Sequence, residues 1–179
     1  MQPLKELELG LRAIASQEVY IFSIADLASL VPQVERPAFK MVLSRAVRNG
    51  MLENACRGLY VFPEAPYRRG RELFHFAAKL RAGYFNYISR ETALSELGII
   101  SQIPIQYITL MSSGSSAVVD CAAWGRIEFA HTKKDPASLS ASLSYDAECR
   151  LLRADSQLAL ADLRCARRNL HLLREEDEA

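Results

Sequence analysis

Between residues 3 and 16, Leu4, Leu7, Leu11 and Ile14 return at three- and four-residue intervals with charged side chains between them, the spacing of an amphipathic helix. Val19 to Phe22 is β-prone, and Ser23 with Asp26 three positions on resembles a capping box with Asp in place of Glu. A short strand therefore hands over to a second helix from Ser23 to about Leu30, which Val31-Pro32 ends. Pro37 suits a first helical turn and Asn49-Gly50 a left-handed exit, so a third helix spans Arg36 to Arg48. At about 100° per residue it places Phe39, Val42, Leu43, Ala46 and Val47 on one face. Lys40, Met41, Ser44, Arg45 and Arg48 fall on the other. Two short extended runs follow, around a polar tip at Arg57 and Gly58. Helix, strand, helix, helix and ribbon is the order of a winged helix-turn-helix, in which the third helix enters the major groove.

PEAPYRRG, residues 63–70, reads as a linker. Residues 71–82 return to helical spacing, with Leu73, Phe76, Ala77 and Leu80 on one side and His75 and Lys79 near its edge, where a surface or boundary histidine is expected. In YFNYISRETALSELGIISQ (84–102), Ser89 with Thr92 starts a helix that runs through Glu96 and ends at Gly98. Residues 105–113, 116–124 and 125–133 read as three strands turning at Gly114 and Gly125, an antiparallel meander. The serine-rich stretch 133–144 reads as a loop or weak strand. Asp155 to about Leu173 is strongly helical, offering Leu158, Ala161, Leu163, Cys165 and Leu170 for burial before a frayed EEDEA tail. The expected class is α+β: a winged-helix domain over residues 1–66, then a small mixed antiparallel-sheet and helix domain over 67–179.

Half of the 179 residues are hydrophobic, enough for a packed core and against a disordered chain. The formal charge of +1 hides an uneven distribution. Residues 1–66 carry seven basic and seven acidic side chains, 67–90 six against one, and 91–179 nine against thirteen. A basic middle and an acidic rear suggest a nucleic-acid face and a different partner face. Cys56, Cys121, Cys149 and Cys165 stand far apart with no metal-ligand spacing, so neither metal nor disulfide framework is expected. No apolar run approaches a signal or membrane-spanning length, which predicts a cytoplasmic protein with reduced thiols and no membrane contact.

No acidic residue lies between Arg36 and Leu52, so the outer face of the third helix favours anions. Arg36, Lys40, Ser44, Arg45 and Arg48 are the candidate groove-facing residues, with Arg57 at the ribbon tip on phosphate. Catalysis finds weaker support, and no enzyme activity or cofactor is expected. Asp120, Glu128 and Lys133 resemble a nuclease acid, acid and lysine set, but a strand would put Glu128 and Lys133 on opposite faces. SSGSS at 112–116 lacks the nucleophile elbow of a serine hydrolase.

The winged-helix region ending in RGLYVF (57–62), the segment YISRETALSELGII (87–100) and the helix ADSQLALADL (154–163) together resemble the AbiEi-type antitoxins of bacterial abortive-infection systems. The resemblance spans about residues 5 to 172. It implies an N-terminal DNA-binding domain that represses its own operon from inverted repeats. One domain of this type buries little DNA surface, so a palindromic operator occupied by two copies is expected, from a monomer in solution or a weak dimer on DNA. It also implies a C-terminal domain that counteracts a nucleotidyltransferase-like toxin without a stable complex. Carried over by position, Lys40, Ser44, Arg45 and Arg48 face the groove and Arg57 the wing tip. A stand-alone winged-helix regulator without a toxin, and a protein-binding winged helix, are the alternatives.

Overall fold

The computed structural model describes residues 2–101 and 106–167 of the chain. The protein is mixed α+β and divides after Gly70 into two compact units, the second beginning at Arg71.

The N-terminal unit opens with α1 (Pro3–Ile14), which buries Leu7 and Leu11 completely while Ile14 at its end is exposed. Strand β1 (Ile21–Ser23) runs directly into α2 (Ile24–Ser29) through a capping box. The Ser23 hydroxyl accepts the Asp26 N–H at 3.1 Å and the Asp26 carboxylate accepts the Ser23 N–H at 2.8 Å. Asp serves here in place of Glu because the loop holds its shorter carboxylate close enough. The third helix, α3 (Arg36–Arg48), has the expected bounds, with Pro37 in its first turn and Gly50 leaving it at φ +74°. Its inner face, Phe39, Val42, Leu43 and Ala46, is buried. Strands β2 (Glu53–Cys56) and β3 (Leu59–Val61) form the ribbon, with β1 added to the other side of β3 in an all-antiparallel sheet. Gly58 turns the ribbon at φ +79°, a conformation that costs a side-chain-bearing residue but not glycine. The Ile24 N–H donates to its carbonyl at 3.2 Å, which ties the ribbon turn to the start of α2.

The stretch 63–70, expected as a linker, is packed over its first half. Ala65 is buried, and the Tyr67 ring stacks on Tyr20 with centroids 3.8 Å apart and planes 4° from parallel. The chain turns at Pro63 and Glu64, where the Ala65 N–H donates to the Phe62 carbonyl at 3.1 Å, so an apparent linker composition here marks a turn packed on the domain.

The C-terminal unit comprises α4 (Glu72–Leu80), β4 (Asn86–Ile88), α5 (Arg90–Glu96), β5 (Tyr107–Ser112), β6 (Ala117–Asp120), β7 (Arg126–His131), β8 (Leu143–Asp146), β9 (Leu151–Ala154) and α6 (Ser156–Ala166). The six strands lie in the order β6-β7-β5-β4-β9-β8. This is not a meander. β5 pairs in parallel with β7, and β6 lies outside β7, antiparallel to it, at the sheet edge. Strand β4 joins the two halves, antiparallel to β5 and parallel to β9. The expected strand over 116–124 stops at Asp120, because the Asp120 carboxylate accepts the Ala122 N–H at 2.9 Å and bends the chain into a short 3₁₀ turn at Ala122–Trp124. Gly125 closes that turn at φ +115°, where a β-carbon would lie 2.0 Å from the Gln106 carbonyl oxygen. The serine-rich 133–144 stretch is a 3₁₀ turn over Pro136–Ser142 that leads into β8.

Three further expectations change. His75 is buried, not at a boundary, and its Nε2 lies 2.8 Å from the Glu148 carbonyl oxygen. Ser89 does stand at the N-cap of α5, yet its hydroxyl donates to Asp162 at 2.7 Å and makes no cap bond. Thr92 turns its hydroxyl to the Thr109 N–H, at 2.8 Å. In α6 the buried residues are Leu158, Ala159, Asp162 and Leu163, whereas Ala161 and Cys165 face outward. The helix ends at Ala166, with Arg167 in the left-handed conformation at φ 52°. Leu170 and the EEDEA tail lie outside the described residues.

Candidate nucleic-acid interface

Helix α3 presents its polar face outward because the opposite face carries the apolar residues that fill the unit's core. Arg36, Lys40, Ser44, Arg45 and Arg48 are all exposed, and so is Arg57 in the ribbon turn. Among the described residues, none of these five cations holds a hydrogen bond or an ion pair. Met41 lies within the same surface at 59% exposure, flanked on the helical wheel by Ser44, Arg45 and Arg48.

A groove of about 610 Å³ runs along α3. Arg36, Lys40, Ser44 and Arg48 line its helix side, and Asn54 and Tyr60 its sheet side. Its apolar lining is Ile24, Phe39, Leu43 and Val47. Asn54 and Tyr60 are directly opposed across β2 and β3, so they share a face of the ribbon. On β3 the neighbours Leu59 and Val61 point into the core, which leaves Tyr60 between them directed outward. Burial of its ring raises the Tyr60 hydroxyl's pKa above the ordinary value. Among the described residues, no acidic side chain lines the groove.

The structure thus brings together four of the six residues singled out from sequence: Arg36, Lys40, Ser44 and Arg48. Arg45 and Arg57 lie outside the groove lining, Arg45 on the far edge of the polar face and Arg57 at the hairpin turn. Sequence reasoning missed Asn54 and Tyr60. Their alternation was visible, but their placement opposite α3 depends on the register of the hairpin, which a β-bulge shifts between Asn54 and Cys56.

The residues considered for catalysis are held elsewhere. Glu128 accepts the Tyr107 hydroxyl at 2.8 Å, with an Arg90 nitrogen 4.0 Å away, and Asp120 pairs with Arg126 at 3.4 Å. Ser112 donates to the Asn86 amide oxygen at 2.7 Å and accepts the Gly114 N–H. Among the described residues no three His, Cys, Asp or Glu side chains come together as a metal site, and no helix is long and apolar enough to cross a membrane. The C-terminal unit also holds a buried polar cluster that sequence did not reveal. Asp162, 2% exposed, accepts hydrogen bonds from Ser89, from the Tyr87 hydroxyl at 3.0 Å and from the Lys134 ammonium at 2.6 Å. Burial, with the Asp162 charge added, holds the Tyr87 hydroxyl well above its ordinary pKa.

In comparison with known proteins, no family model matches the chain and no curated protein matches it.

Proposed function

We propose that the chain is a DNA-binding transcriptional regulator whose N-terminal unit works as a winged helix-turn-helix. The observation that carries this reading is the exposed set of cations on α3 and at the ribbon turn, none of them engaged by another described residue. A cation that holds a protein anion is already neutralised, whereas these remain available to phosphates and guanine edges. The element order α1, β1, α2, α3 and a hairpin, with β1 completing a three-stranded sheet, supports the winged-helix reading. In this reading Lys40, Ser44, Arg45 and Arg48 face the bases, with Arg36 at the groove wall and Arg57 on the backbone beyond the helix.

The biological role we propose follows the AbiEi-type resemblance. The chain represses its own operon from an inverted-repeat operator and acts as the antitoxin against a nucleotidyltransferase-like toxin, without a stable complex. Function then comes from positioning, with no chemistry in the N-terminal unit.

Fluorescence anisotropy with the DNA immediately upstream of the gene, against a shuffled duplex at physiological salt, tests the first part. Preference for the upstream DNA by about a hundredfold, lost in Arg45→Ala, supports it. The log–log salt slope is expected to fall between about −1, for Arg57 on phosphate alone, and about −4 to −5, if all five cations neutralise phosphates. Equal, weak binding to both duplexes defeats it. The antitoxin part is tested by expressing the adjacent reading frame with and without this chain. If that frame is harmless alone, the chain is a stand-alone regulator.

A further inference from the structure

The groove along α3 is less polar than a surface meant only for DNA. Phosphate contacts call for hydrogen-bond donors and charge, yet the groove's lining includes Ile24, Val47 and the ring of Tyr60, over the edges of the buried Phe39 and Leu43. Ile24 is 47% exposed, an aliphatic side chain left beside the ribbon turn, 3.9 Å from where a β-carbon on Gly58 would lie. The volume of about 610 Å³ falls within the range of small-molecule sites, about 300 to 1,000 Å³. Around the apolar lining stand Arg36, Lys40 and Arg48, with no acidic residue among the lining. Glu35, at the N-cap of α3, is exposed and outside that lining. Apolar floor and cationic rim together select a ligand with an apolar body and an anionic end.

We propose that this groove binds an amphipathic carboxylate, a medium-length alkyl chain with one anionic head group. Arg36 and Lys40 stand four residues apart on one face of α3, within reach of a single carboxylate. They lie at the N-terminal end of the helix, where the backbone adds partial positive charge. The chain then lies along Ile24, Val47 and Tyr60, away from water. Arg48, about 12 Å beyond Lys40 along the helix axis, is too distant to share the head group.

This site stands without the DNA-binding reading, but one consequence rests on it. The ligand takes Arg36 and Lys40, both assigned to DNA, so ligand and operator exclude one another. The carboxylate would then act as an inducer.

Calorimetric titration of the full chain with sodium decanoate and with decyltrimethylammonium, each below its micelle concentration, tests the site. Decanoate is expected to bind at least about tenfold more tightly than the cationic surfactant. Lys40→Glu, on the surface, is expected to weaken decanoate by about tenfold and to favour the cation. Ile24→Ser, at a half-exposed position, is expected to weaken both ligands, since it removes floor and leaves charge. Equal binding of the two surfactants, or indifference to both variants, overturns the proposal. So does dimerisation that covers the groove, seen as decanoate binding that weakens with rising protein concentration. The same titrations with operator DNA present separate the two readings. If operator DNA binds and decanoate does not, the ligand site is wrong and the DNA reading stands. If decanoate binds selectively and no duplex binds, the reverse holds. Decanoate bound without displacing operator overturns the inducer role alone.

Discussion

In the C-terminal unit Arg153 lies against both Glu96 and Asp146, Arg71 reaches Glu96 at 2.7 Å, and Lys134 covers the buried Asp162. In the N-terminal unit Lys40, Arg45, Arg48 and Arg57 project into solvent with no such partner among the described residues. Both units use the same residue types. The difference is what surrounds these cations: a carboxylate from another strand or helix in one unit, and in the other a helix with no acidic residue or, for Arg57, an exposed hairpin turn, while Arg12, held by Glu8 and Glu64, is a paired cation of the N-terminal unit. Charge that secures a fold is half-buried and paired, so it survives salt and costs stability when one partner is lost. Charge kept for a ligand is exposed, and its removal leaves the fold almost untouched.

The comparison breaks most sharply at Asp162. Asp162→Ala leaves a buried tyrosine hydroxyl and a serine hydroxyl without their shared acceptor and strands Lys134. It is expected to cost the C-terminal unit about 3 to 5 kcal/mol in urea denaturation. A loss below about 1 kcal/mol would show that water replaces the carboxylate and that the cluster is not structural. Next in size are Arg45→Ala and Arg48→Ala, each expected, in the proposed DNA-binding reading, to weaken operator binding by about 1 to 3 kcal/mol while unfolding free energy moves by no more than about 0.5 kcal/mol. A larger change in stability would place those arginines in the fold and erase the contrast.

A smaller effect, about 1 kcal/mol, is expected for Ser23→Ala, which deletes the capping hydroxyl of α2; a urea titration measures it. The last effect is a slope with pH. The N-terminal unit contains no histidine, whereas burial lowers the pKa of His75 below its ordinary 6.5, with Arg150 and Arg71 adding to the shift and the Glu148 carbonyl and Glu72 opposing it. The unfolded chain therefore takes up the proton first. Stability is complete above about pH 6.5 and falls as pH drops from there toward the folded-state pKa. The C-terminal unit is expected to lose stability through that window, and the N-terminal unit is not. His75→Gln should flatten the slope, whatever its effect on stability at neutral pH.

Much of the N-terminal unit was legible because its signals are local. The capping box at Ser23 and Asp26, Pro37 and Gly50 at the ends of α3, and Gly58 in the hairpin each act within a few residues. Helix α3 emerged with the bounds that Pro37 and Asn49-Gly50 give. The C-terminal unit was legible only in pieces. Strand β4 is three residues long and buried throughout, so it carries no alternation. Strand β9 follows the turn at Arg150, which takes φ 58°, a conformation that no glycine or asparagine marks in advance. Ser89 reads as a cap from its neighbours, yet its hydroxyl belongs to Asp162, 73 positions away. For the candidate interface, the basic face could be read residue by residue, but the groove's far wall could not.

The sequence by itself determined the amphipathic faces of α1 and α3, the capping box of α2, the hairpin with its arginine at the turn and the absence of acidic residues from α3, because each depends on spacing along the chain. Tertiary structure alone decided that β5 lies parallel to β7 with β6 outside, that Asp162 is buried, and that Asn54 and Tyr60 face α3 across an apolar groove. Strand order and register follow from which surfaces bury one another, and those surfaces lie tens of residues apart. Whether a charged side chain is paired or free depends on the same packing, since a cation's partner is selected by proximity in space and is not encoded in the residue that carries the charge.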